Sequence, residues 1–149
     1  MESTQLGGVT STVRKTYANL GDKAQLIVKE KILTDNDERA VTDFKVDLEG
    51  AHSRADIVSR SVAKGKSVQS FGSDLIGKNE CFGHVECDGI LLGEARIVST
   101  PKIDAVSPEA SLVQEAAVGK IAGEQLMKLM SLGLTEQEAE DGVIKGFVN

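Results

Sequence analysis

Along most of this 149-residue chain the apolar residues fall in short runs separated by glycine or polar turns. Phe44, Val46 and Leu48 take one set of alternate positions, and Asp43, Lys45 and Asp47 take the other. A period of two puts the first set on one face of an extended strand and the second on the opposite face. Similar runs are Ala24–Val28, Ile57–Val62, Ser67–Phe71, Gly89–Leu92 and Ala95–Val98. Between them stand Gly21-Asp22, Asp35-Asn36-Asp37, Glu49-Gly50, Lys64-Gly65-Lys66, Gly77-Lys78-Asn79 and Gly93-Glu94. These are turn formers, and no helical period survives between them. From about Thr4 to Pro108 the pattern predicts strands only.

The regime changes near Gly119. Ile121, Leu126, Leu129 and Met130 fall at helical spacing, and Gly133 stands where a helix ends. Thr135 and Glu138 make a capping-box pattern, followed by Ala139, Val143, Ile144 and Phe147 on one helical face. The division is therefore a β core over residues 1–118 and a C-terminal helical hairpin over residues 119–149. Gly142 weakens the second helix.

How the strands associate is less constrained. Aromatic residues make up only 3% of the chain, and there is no Trp. The core must be aliphatic, which suits stacked coils of a parallel β-helix. An antiparallel sandwich would favour Asn-Gly or Asp-Gly hairpin turns, and the nearest such pair, Asp88-Gly89, lies inside an apolar run. Pattern places the β-helix slightly ahead of a sandwich or open barrel, and composition leaves the choice open.

Charge and motifs narrow the function. The net charge is −6 and the basic residues are scattered, so nucleic acid is not an expected partner. No apolar stretch spans a membrane, and Met1–Gln5 lacks a signal-peptide pattern. Two cysteines with five residues between them match no zinc spacing and read as reduced and cytoplasmic. There is no nucleophile elbow, HExxH or complete phosphate loop, so the chain is not expected to be an enzyme. A carbohydrate-active β-helix would need aromatic platforms that this composition lacks.

The densest chemistry is Gly83-His84-Val85-Glu86-Cys87-Asp88. On a strand, Val85 and Cys87 share one face, and His84, Glu86 and Asp88 share the other. With Val85 as the inward marker, Cys87 points into the core and the acids into solvent. A buried thiol is commonly a small hydrophobe, but it is also a soft ligand once deprotonated. His84 reads as solvated, Cys81 as structural and His52 as a turn residue.

Residues 110–149 closely resemble the C-terminal signature of the SufB/SufD family of iron–sulfur cluster assembly proteins. The resemblance runs through Glu115-Ala116-Ala117-Val118-Gly119-Lys120-Ile121, Glu124-Gln125-Leu126, Leu132-Gly133-Leu134 and Gly146-Phe147. Upstream, "GHVECDGILL" is similar to the family's Glu-Cys-Asp strand, and residues 53–77 to the coils before it. The match is good over residues 50–149 and looser over residues 1–49.

This resemblance implies a right-handed parallel β-helix followed by C-terminal helices. Its functional implication is a scaffold subunit that works with a SufC-type ABC ATPase and pairs with another SufB/SufD-type subunit or with itself. Any iron–sulfur cluster would be held transiently, and ATP would be hydrolysed by the partner. Cys87 matches the family's cluster-assembly cysteine, and Glu115 matches a glutamate that follows a histidine ligand. Gln114 stands at that histidine's position and has no imidazole to offer. The helical hairpin, with Glu136, Glu138, Glu140 and Asp141 outward, is the expected docking element or a cap on the coils. The rival reading is a β-helical structural or oligomerisation module without cluster chemistry. Either way, a sheet edge near Met1 predicts self-association.

Overall fold

The structure, a computed structural model, describes residues 1–121 and 123–149. The first strands are β1 (Glu2–Leu6), β2 (Ser11–Leu20), β3 (Gln25–Thr34), β4 (Arg39–Leu48) and β5 (Ser53–Ala63). They are followed by β6 (Val68–Gly77), β7 (Cys81–Leu91), β8 (Arg96–Ala105) and β9 (Ala110–Lys120). Odd-numbered strands form one sheet in the order β1-β3-β5-β7-β9, and even-numbered strands form the other, β2-β4-β6-β8. Every neighbouring pair is parallel. The chain thus alternates between two facing sheets for about four turns, a parallel β-helix. The strand β9 runs to Lys120, two residues past the expected end of the β core.

Each coil buries alternate residues between the sheets. Phe44, Val46 and Leu48 are buried as the alternation predicts, and Val28, Ile57, Leu75, Val85 and Cys87 meet them from other strands. The one aromatic contact inside this cluster pairs Phe44 with Phe71, their ring centroids 5.9 Å apart. Small residues keep the interior narrow. A Cβ on Gly83 would come within 2.8 Å of both Leu75 and Leu112 side chains, so this inward position accepts nothing larger.

The corners stack as regularly as the strands. Asn36, Gly65 and Gly93 each adopt a positive φ. Lys66 N–H donates to Asn36 O at 2.8 Å, and Glu94 N–H donates to Gly65 O at 2.8 Å. The corner backbone therefore satisfies the next coil's corner, as a buried or stacked backbone requires.

The two ends of the β-helix differ. At the first coil, the inward positions include Ser3, Gln5, Thr12, Arg14 and Thr16, which are polar and half-buried. At the last coil, inward Ile103 and Val118 are 46% and 41% exposed. An apolar inner surface therefore lies open at the C-terminal end.

Helices α1 (Gly123–Met130) and α2 (Glu136–Val148) follow. Gly133, with φ +97, donates its N–H to Met130 O at 2.9 Å in the turn between them. The α2 capping box is present: Glu138 N–H donates to Thr135 Oγ1, and Thr135 N–H donates to Glu138 Oε2. The hairpin does not sit over the open end. Instead α2 lies back against β5 and its following turn, where Arg60 Nη1 donates to Phe147 O at 3.5 Å and Lys64 pairs with Glu140 at 3.9 Å. Ala139 is fully buried in this contact region.

Candidate functional site

Strand β7 presents two different chemistries on its two faces. Inward, Cys87 is completely buried and stands in register between Ser59 of β5 and Ala116 of β9. One coil further back the same file holds Glu30, beside Ser59. Glu30 is 1% exposed. Arg14 Nη1 donates to its Oε1 at 2.5 Å, Thr42 Oγ1 to the same atom at 3.2 Å, and Ser59 Oγ to its Oε2 at 2.9 Å. A buried carboxylate needs such partners. Burial nonetheless outweighs them and raises the Glu30 pKa above its ordinary value.

The Cys87 thiol is pushed up as well, first by burial and then by the negative charges of Asp88 and Glu30. The Ser99 hydroxyl, facing it from β8, offsets part of this without making a hydrogen bond of normal geometry. A thiol in this setting stays protonated at neutral pH and is a poor nucleophile until something uncovers it. Cys81 is also buried and free, as the first residue of β7.

Outward, the strand carries His84, Glu86 and Asp88. His84 is not simply solvated: its side chain is 22% exposed and lies between two carboxylates. Nδ1 is 2.8 Å from Asp56 Oδ1 on β5, and Nε2 is 3.5 Å from Glu115 Oε2 on β9. The Asp56 hydrogen bond raises the imidazole pKa; partial burial opposes it and Glu115 adds to it. Glu86 stands directly beside Glu115 in the β7–β9 register. Its own carboxyl is held above the usual range by Asp88, with burial adding and Arg60 and His84 opposing. One ligand atom from each of His84, Glu86 and Glu115 falls within 4.8 Å of the others.

The two residues singled out from sequence are therefore not brought together within the chain. Cys87 faces the core, whereas Glu115 is 66% exposed on the outer face. Gln114, beside Val85 in register, points inward like Cys87. His52 lies in a corner with φ +60, as expected of a turn residue. Two features escaped the sequence reading. Glu30 sits between Lys29 and Lys31 and looks exposed, although the period-two file Val28, Glu30, Ile32 assigns it inward. Asp56 lies 28 residues before His84, one coil away. Only knowledge of the coil length could pair them.

Comparison with known proteins gives a consistent picture. The family model described as SUF system FeS cluster assembly, SufBD core domain, matches residues 2–147. An iron–sulfur cluster assembly SufBD family protein of Archaeoglobus fulgidus is 36% identical over 124 residues, covering 83% of this chain and 32% of that protein. One from Methanothermobacter thermautotrophicus is 35% identical over 131 residues, covering 87% of this chain and 32% of its own length. One from Pyrococcus horikoshii is 33% identical over 132 residues, with 88% and 40% covered. The chain thus spans about a third of the length of these curated relatives. The likeness extends through the first coils, which the sequence motifs matched only loosely. With its stacked parallel coils, its inward Cys87 on β7 and a family match from end to end, this chain belongs to the SufBD core family of the SUF iron–sulfur cluster assembly system.

Proposed function

We propose that this chain acts as a scaffold segment in iron–sulfur cluster assembly, doing no catalysis of its own and working in the cytoplasm. The observation that carries this reading is the family match over residues 2–147; the cysteine it would use is Cys87, on strand β7. Iron and sulfide are its cargo, and Cys87 is the sulfur ligand offered to them. Because Cys87 is sealed and its thiol protonated, cluster chemistry requires the last coil to move or a partner to open it.

A SufC-type ABC ATPase is the proposed motor for that opening, and the helical hairpin is the proposed dock. Of the four acids of α2, Glu138 is engaged in the cap, Glu140 with Lys64, and Asp141 accepts a hydrogen bond from its helix neighbour Gln137. Glu136 and Asp141 remain exposed for a basic partner. A second SufB/SufD-type subunit, or a second copy, is the proposed cover for the apolar C-terminal end. That end suits such a partner better than the polar first coil near Met1.

The test is capture of a SufC-type ATPase by the immobilised chain. Retention that falls in the double variant Glu136→Lys, Asp141→Lys supports docking through α2. No retention of the ATPase by the wild-type chain contradicts this part of the reading. The complete burial of Cys87 favours a second reading, a structural module without cluster chemistry. That module predicts the same iron and sulfide content for wild type and Cys87→Ala.

A further inference from the structure

We propose that the outer face of the odd-numbered sheet holds a mononuclear site for a divalent transition metal, formed by His84 Nε2 and the carboxylates of Glu86 and Glu115, with Asp56 orienting the imidazole. The site lies across the sheet from Cys87 and does not depend on cluster assembly there. Its backbone frame is two adjacent parallel strands: His84 and Glu86 are alternate residues on β7, and Glu115 stands beside Glu86 on β9. All three side chains therefore leave the same face within one strand spacing.

The geometry suits a small ion. Nε2 and Glu115 Oε2 are 3.5 Å apart. Two ligands of a tetrahedral ion with bonds of about 2.1 Å are separated by about 3.4 Å. The whole ligand set spans 4.8 Å, so one carboxylate must swing inward. Glu115, 66% exposed, has the freedom to do so.

Asp56 supplies the feature that an acidic patch lacks. Its Oδ1, 2.8 Å from Nδ1, occupies that nitrogen and turns Nε2 toward the carboxylates. A carboxylate–histidine pair of this kind fixes the ring and strengthens it as a ligand. Glu86 and Glu115 are direct register partners on adjacent strands, so their carboxylates leave the sheet side by side next to the His84 ring.

One imidazole and two carboxylates suit Fe²⁺, Co²⁺ or Zn²⁺. They are too few oxygens for Ca²⁺ and include no thiolate for Cu⁺. Three protein ligands leave a position open for water or a small anion.

Anaerobic titration with Co²⁺ tests the proposal, followed by visible absorption and calorimetry. The expected result is one Co²⁺ per chain with ligand-field bands. Binding weakens about tenfold or more in His84→Ala and Glu115→Gln, and about tenfold in Asp56→Asn. Cys87→Ala binds like wild type, with no thiolate-to-metal charge-transfer band in either. Glu115 is exposed, so Glu115→Gln reports on the ligand even if His84→Ala fails to fold. The proposal is overturned if wild type binds no Co²⁺. It fails equally if Glu115→Gln binds as tightly as wild type, or if a charge-transfer band vanishes with Cys87.

Discussion

Glu30 illustrates how a single side chain departs from its sequence neighbourhood. Flanked by lysines, it reads as surface; alternation buries it beside Ser59 and against Arg14. In the unfolded chain it titrates near its ordinary value of 4.5, and burial lifts it above that in the fold. The native state therefore holds this proton to higher pH than the unfolded state. Stability from the group is fully present below 4.5 and is lost as pH rises through the folded value. Glu86 shifts in the same direction. Urea unfolding between about pH 5 and about pH 8 should show this decline, and Glu30→Gln should flatten it. An unchanged slope in the variant would assign the decline to other groups. Cys87 gives a second check at this scale. Its inward direction was legible from Val85 and the period of two, but its depth was not, because depth depends on the coils above and below. Iodoacetamide with mass spectrometry should leave Cys87 unmodified while the chain is folded, and Cys87→Ala should cost about 1–2 kcal/mol. Prompt alkylation under native conditions would contradict the burial.

Local signals resolve the elements well where they carry their own punctuation. Thr135, Glu138 and Gly133 marked the second helix and its preceding turn correctly, because caps are short-range chemistry. Thr135→Ala should cost about 1 kcal/mol and deprotect the Glu138 amide in hydrogen exchange, with the β-helix unaffected. Strand association was only partly legible, since each strand pairs with one 27 to 29 residues away and the coils share no obvious repeat. The corners show what replaces a sequence repeat. A Cβ on Gly50 would lie 2.0 Å from Asp22 N and 2.1 Å from Gly21 C, both backbone atoms of the coil below. Gly50→Ala should therefore destabilise by about 3 kcal/mol or more. Gly142→Ala, in α2 with nothing within 4 Å of the added carbon, should stabilise by about 0.5–1 kcal/mol. Thermal unfolding of the two variants compares them directly. Shifts of equal size and sign would refute the stacking account.

At the scale of the whole molecule, four coils of parallel sheet leave two ends, and the chain treats them differently. The first coil closes with polar groups, while the last leaves Ile103 and Val118 partly bare on its inner face. The hairpin folds back along β5 instead of covering them. Light scattering should find a dimer or larger species that Ile103→Lys with Val118→Lys reduces to a monomer; a monomeric wild type at high concentration would remove this interface. The same open end lies one strand beyond Cys87, so whatever covers it also controls access to the thiol. No helix among the described residues is long and apolar enough to cross a membrane. The cluster-assembly reading rests finally on Cys87 itself. Anaerobic reconstitution with iron and sulfide, on wild type and Cys87→Ala side by side, measures it through visible absorption and the iron and acid-labile sulfide retained. The account predicts cluster bands and bound sulfide in wild type and neither in the variant. Equal iron and sulfide in both proteins, or none in either, would contradict it and leave Cys87 as core packing.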